Sequence, residues 1–312
     1  MSPRCKIVVY HYVRDLKKST YSEIKGLELD KFAKQLEYFR DNFSFITSEE
    51  LLNALYNNRP IPQDAILLTF DDGFKDHYVN VFPILKKLNV QGLFFPPAKA
   101  IERREVLDVH KIHFILASCK DKQIIIDEIF KILSQYSQEC NIDAIRSSFT
   151  NLNQTGRFDS KEVVFIKRVL QRELPAFIRS RIAKELFYKF VTNDEETFSR
   201  ELYLSFEEIK EMKENGMYFG SHGYSHEWLG YLPVNQLELE LEKSLNFQSK
   251  IGNSSEDNLI MCYPYGSYNN IVIEKLKKRG FKAGFTTEVG DAVLTKENAF
   301  LLKRFDTNDF PQ

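Results

Sequence analysis

The sequence predicts an α/β fold in which about seven strands alternate with helices. Three observations carry this. Short β-competent apolar runs, at 7–10, 65–70 and 91–95 among others, recur with helix-spaced segments between them. Gly and Pro punctuate the exits from these runs. Chemistry-bearing residues (His11, Asp71, Asp72, His222, Tyr265) stand just past the runs. Such alternation implies parallel strands joined by helical crossovers. A barrel or near-barrel fits best, with an open doubly wound sheet as the alternative; in both, functional groups collect where strands end.

Taken in order, 7–10 is a short buried-type strand ending at His11. Residues 29–43 place Phe32, Leu36, Phe39 and Phe43 at helical spacing, with Asp30 near the start. A strand at 43–46 gives way to a helix capped at Thr47 or Ser48, with Glu50 in capping-box position to Thr47. Pro60 and Pro62 break the chain before the strand Ala65-Ile66-Leu67-Leu68-Thr69-Phe70-Asp71-Asp72-Gly73. Adjacent strand residues face opposite ways, so Asp71 and Asp72 converge only if the chain has begun to turn, which Gly73 permits. Residues 78–88 read as helix, with Pro83 as a kink or late start, and 91–95 as the next strand, stopped by Pro96-Pro97. Between 103 and 200 the sequence is rich in helical spacing, lacks a convincing strand and has a polar link at 151–156, so this stretch is expected as a helical insertion or small subdomain in a barrel formed by 1–102 and 201–312. The β/α rhythm then resumes: a Ser205/Glu208 capping box, a strand at 217–220, a helix from Pro233 to about 251, a strand at 259–263, a helix at 271–279 and a strand at 281–286.

Composition narrows the function. The 312 residues suffice for one large or two ordinary domains. At 43% hydrophobic and 28% charged, the chain is of soluble globular type. A net charge of −1 argues against nucleic acid as partner. No apolar run is long enough to span a bilayer. The first apolar run is too short for a signal-peptide core and reads as a strand, so a cytoplasmic location is expected. Cys5, Cys119, Cys140 and Cys262 lack CxxC spacing, which fits reduced thiols better than a disulfide framework or a cysteine zinc site. The high Phe and Tyr content suits a rich core first and a carbohydrate-facing surface second.

His222 and His226 are four residues apart, a spacing that on a helical turn puts both imidazoles on one face. With a carboxylate from another strand end they make an Asp-His-His set that leaves coordination positions open on a metal ion. The paired aspartates then divide into one ligand and one base toward water.

Thr69-Phe70-Asp71-Asp72-Gly73, His222-x-x-x-His226 and Tyr263-Pro264-Tyr265-Gly266, in that order, resemble the first three motifs of carbohydrate esterase family four, the NodB-homology polysaccharide deacetylases. The resemblance covers about 1–100 and 200–312. It implies a distorted (β/α) barrel and a metal-dependent hydrolase that removes N-acetyl groups from a sugar, either a polysaccharide or its nucleotide- or lipid-linked precursor. Zinc is the expected ion, with cobalt or nickel as alternatives. By the same resemblance Asp71 is the general base, Asp72, His222 and His226 hold the metal, and the backbone around Pro264, Tyr265 and Gly266 helps hold the oxyanion.

Three departures stand out. Gly223 occupies a position where the family usually has Ser or Thr, leaving Ser221 or Ser225 to tie the loop. Met261 and Cys262 occupy the region of an arginine that orients the base, a charge that Arg304 or Lys303 could replace. No His follows His226, so the late general acid is missing. Tyr10-His11-Tyr12-Val13 matches the early segment that supplies this His in a permuted branch, which makes His11 the expected acid and His77 the substitute. His110 and His113 are expected as surface or packing residues. A deformylase or other amide hydrolase on a sugar, and a non-catalytic sugar-binding module, are the alternative functions. The insertion is a candidate pocket wall, oligomer contact or membrane-facing surface.

Overall fold

The computed structural model describes residues 2–150, 159–253 and 258–312, so the polar link at 151–156 lies outside it. The chain divides into two compact units, one comprising residues up to 15, 26–105 and 200–312, the other 16–25 and 106–199.

The first unit is a ring of seven parallel strands: β1 (Arg4–Tyr10), β2 (Ala65–Asp71), β3 (Gly92–Phe95), β4 (Tyr218–Phe219), β5 (Ile260–Cys262), β6 (Ala283–Phe285) and β7 (Phe305–Asp306). β1 pairs in parallel with β2, β2 with β3, β3 with β4, and β5 with β6. Single parallel bridges, Ser221 to Met261 and Phe285 to Leu302, carry the ring from β4 to β5 and from β6 toward β7. β7 pairs in parallel with β1 and completes it. Every residue of β2 is buried, as expected for a parallel strand covered on both faces.

The expected strands are all present, but ring membership differs at two places. Ser44–Phe45 pairs only with the first residues of β2, off the ring, and its place is taken by β7, which has no apolar run to announce it. Ala292–Val293 adds an antiparallel pair to the start of β1. α1 (Leu29–Asn42) buries Phe32, Leu36 and Phe39 together with Gln35, whose side chain accepts from the Tyr10 hydroxyl at 2.7 Å. α2 (Ser48–Asn57) starts at the Thr47/Glu50 capping box, and α4 (Phe206–Glu214) at the Ser205/Glu208 box. Between them, Pro83 marks a late start: a π-helical turn, His77–Val81, precedes α3 (Phe82–Leu88). α5 (Val234–Lys250) and α6 (Asn270–Lys278) cover the later strands.

The second unit is helical. Within it Phe114, Phe187 and Phe198 meet edge to face, and Lys111 pairs with Glu195 at 2.8 Å. His110 and His113 lie in this unit with ring centroids 5.8 Å apart. No described helix is long and apolar enough to cross a membrane.

Candidate active site

The Asp-Asp turn begins one residue earlier than the glycine suggests. Asp72 itself has φ +73°, and Gly73 continues with φ +63°. A Cβ on Gly73 would stand 2.6 Å from Pro96, so the close approach to the exit of β3 also requires glycine. With the backbone in left-handed conformation from Asp72 onward, both carboxylates leave the strand end toward the same side.

Asp71 is buried and bound face to face by Arg304: Nη1 donates to Oδ1 at 2.9 Å and Nη2 to Oδ2 at 2.8 Å. Arg304 is fixed in turn by the Thr286 carbonyl (3.0 Å) and the Thr69 hydroxyl (3.2 Å). Burial alone would push the Asp71 carboxyl up; the Arg304 charge and hydrogen bonds outweigh it and hold the group at about 2. The charge absent near Cys262 is therefore supplied by Arg304, whereas Lys303 pairs with Glu288 at 3.3 Å. Cys262 itself donates its thiol to Asp71 Oδ2 at 3.2 Å. All four cysteines are free, and burial raises the Cys262 thiol above its ordinary range.

Asp72, His222 and His226 come together without a helix. The segment between the histidines is a loop, turned by left-handed conformations at Gly223 (φ +72°) and His226 (φ +60°), so the helical face expected from the spacing is replaced by two backbone reversals. Asp72 Oδ1 lies 3.5 Å from His222 Nε2 and 3.3 Å from His226 Nε2. Donors at about 2.1 Å around a tetrahedral zinc stand about 3.4 Å apart, so these three fit one divalent ion. His222 Nδ1 donates to the Cys262 carbonyl at 2.7 Å, which fixes the tautomer that leaves Nε2 to ligate. A second cluster, Asp71, His222 and Cys262, is as compact. It does not fit a cation, because Arg304 already neutralises Asp71 and His222 Nδ1 is committed to the carbonyl.

His11 follows β1, with its side chain 47% exposed and Nε2 4.0 Å from Asp71 Oδ2. His77 is fully buried, donates through Nε2 to the His11 carbonyl at 2.8 Å, and packs among Phe70, Phe74 and Phe94. Burial lowers its pKa to about 4. A neutral, sealed imidazole whose proton is already donated cannot serve as the substitute acid, and that expectation is withdrawn.

In the Tyr263–Gly266 turn, Tyr265 has φ +57°. Pro264 brings no N–H, and the Gly266 N–H closes the turn by donating to the Tyr263 carbonyl at 2.9 Å. The Tyr265 ring meets His226 edge to face at 4.6 Å and stacks on Trp228 at 4.3 Å and 4°. Trp228 and the exposed Tyr231 extend this aromatic wall, which the sequence reading did not single out.

The profile of the family described as polysaccharide deacetylase matches residues 58–124 and 177–284. Over 90 residues, 28% of this chain, the sequence is 26% identical to the poly-β-1,6-N-acetyl-D-glucosamine N-deacetylase of Escherichia coli K12, and over 78 residues, 25% of this chain, 28% identical to Bacillus subtilis YxkH. These matches span 13% and 28% of those proteins. The fold is similar to that of the Streptococcus pyogenes deacetylase PplD, solved with acetate (TM-score 0.60, 19% identity, 98% of this chain and 93% of that one). It is similar also to IcaB from Ammonifex degensii (TM-score 0.58, 19% identity, 99% and 94%). The family profile covers more than half of the sequence, and the chain belongs to the polysaccharide deacetylase family.

Proposed function

We propose that this protein is a metal-dependent hydrolase that removes the N-acetyl group from an amino-sugar residue of a surface polysaccharide or its precursor. The observation that carries this reading is the pairing of two carboxylates with different partners at one strand end: Asp72 with two imidazoles, Asp71 with a guanidinium. A divalent ion, zinc first among them, held by Asp72, His222 and His226 would supply Lewis-acid chemistry toward water and the acyl group.

The chain's own residues do the rest. The Asp71 carboxylate, held ionised by Arg304, accepts the hydrogen bond of the attacking water and takes its proton as the water adds to the acyl carbon. The Tyr265 N–H donates toward the developing oxyanion. His11, half exposed beside Asp71, delivers the proton that the departing amine requires. The wall of Trp228, Tyr265 and Tyr231 offers flat apolar faces to a sugar ring. The named substrate of the E. coli relative makes β-1,6-linked N-acetylglucosamine the first polymer to test.

The test is acetate release from N-acetylglucosamine oligomers and N-acetylated nucleotide sugars, with zinc-reconstituted protein beside an Asp71→Asn control. Release that requires both zinc and Asp71 is expected. A formyl but not an acetyl substrate being cleaved would redirect the assignment to a deformylase, and a saturating sugar with no release would make it a binding module.

A further inference from the structure

α5 carries three buried polar residues where an amphipathic helix would place apolar ones: Glu240, Ser244 and Gln248, at i, i+4 and i+8 on one face. Each bonds the segment that bears the histidines. The Gln248 amide donates to the Gly220 carbonyl at 2.9 Å. The hydroxyls of Ser244 and Ser221 are 2.6 Å apart. Glu240 Oε1 accepts from two successive backbone amides, Tyr224 at 2.8 Å and Ser225 at 2.5 Å, both lying between His222 and His226.

Glycine at 223 belongs to the same device. A Cβ there would stand 3.2 Å from Glu240 Oε1, tighter than an unstrained contact, so a side chain at 223 and the carboxylate compete for one space. The tie that a hydroxyl after His222 would provide comes from Glu240 instead, with Ser221 Oγ accepting from the Gly223 N–H at 3.2 Å. Neither Ser221 nor any other residue of the loop reaches the Tyr224 and Ser225 amides in this way among the described residues.

We propose that the polar stripe of α5 is the positioning element for the metal ligands, with Glu240 the positioning residue that sets the spacing of His222 and His226. This rests on the reading that Asp72, His222 and His226 hold a divalent ion. Partners of ligating groups typically change metal affinity by about 10–100-fold when removed.

The experiment is calorimetric titration of zinc chloride into metal-stripped full-length protein. Glu240→Ala is expected to weaken zinc binding by about 10–100-fold. Glu240→Gln, which keeps one acceptor oxygen for both amides, is expected to retain most of the affinity. Leu241→Ala, a buried neighbour on the same helix whose side chain belongs to the hydrophobic core and has no group to hydrogen-bond the loop, is expected to lower the melting temperature yet leave zinc affinity unchanged. Zinc binding by Glu240→Ala equal to the wild type, or an equal loss in Leu241→Ala, overturns the proposal. If Glu240→Ala does not fold, Ser244→Ala repeats the test by deleting one hydroxyl, with severalfold weaker binding expected and unchanged binding overturning it. Asp72→Ala separates the two claims: if it binds zinc like the wild type, the metal reading itself falls, whereas a loss there with an intact Glu240→Ala refutes the positioning role alone.

Discussion

Arg304 and Asp71 are both 3% exposed or less, and their two-pronged contact is the most desolvated ion pair of the site. Removing one partner of such a pair leaves a charge buried without compensation, a loss of about 3–5 kcal/mol. Arg304→Met is therefore expected to lower unfolding free energy in urea by about that amount, and Asp71→Asn/Arg304→Met to recover part of it, since the double variant buries neither charge. Equal destabilisation by the single and double variants would show that the charge pairing is not what the arginine contributes. Arg304 was legible in the sequence only as one of two cations able to replace a missing one, because 233 residues separate it from its partner. Asp72 and the two histidines were legible by residue type and order. The conformation that unites them was not: Asp72, His226 and Tyr265 all adopt positive φ without being glycine, a strain that concentrates at functional positions.

At the scale of elements, the π-helical turn His77–Val81 places an imidazole under the backbone of His11. Its Nδ1 has no hydrogen-bond partner and is sealed from water, which is why the group stays neutral down to about 4. The unfolded chain takes up a proton near 6.5 while the folded chain does not, so this stabilisation is complete above about 6.5 and is lost as pH falls toward 4. Between pH 7 and pH 5 His77 is expected to cost about 2 kcal/mol of stability, a slope that His77→Asn should remove while keeping a donor for the His11 carbonyl. Urea titrations at the two pH values measure it; parallel losses in both proteins would place the titration elsewhere. Strands and capped helices were readable because apolar runs and capping boxes are local. β7 was not: it is two residues long, half buried, and defined by its register with β1. The stripe on α5 did leave a signal, three polar residues at helical spacing on a covered face, but only the facing loop gives it meaning.

For the whole molecule, a bound ion adds stability by mass action, about 2.7 kcal/mol at a free concentration one hundred times Kd. Stripping with a chelator is expected to lower the melting temperature, and zinc to restore it, in the wild type but not in Asp72→Ala. A melting temperature indifferent to the chelator would count against the Asp72, His222, His226 site. The ring itself has a consequence in time. β1 lies between β2 and β7, the two strands that carry Asp71 and, one residue before β7, Arg304. During synthesis at about 5–20 residues per second, the arginine follows the aspartate by roughly 10–50 s. Until it arrives, a carboxylate at the end of β2 has no counter-charge to enter the interior with, so the nascent barrel keeps that end open to water. Closure of the ring and burial of the Asp71–Arg304 pair are then one event, and a ribosome-bound chain lacking its last strand carries Asp72, His222 and His226 but not that pair.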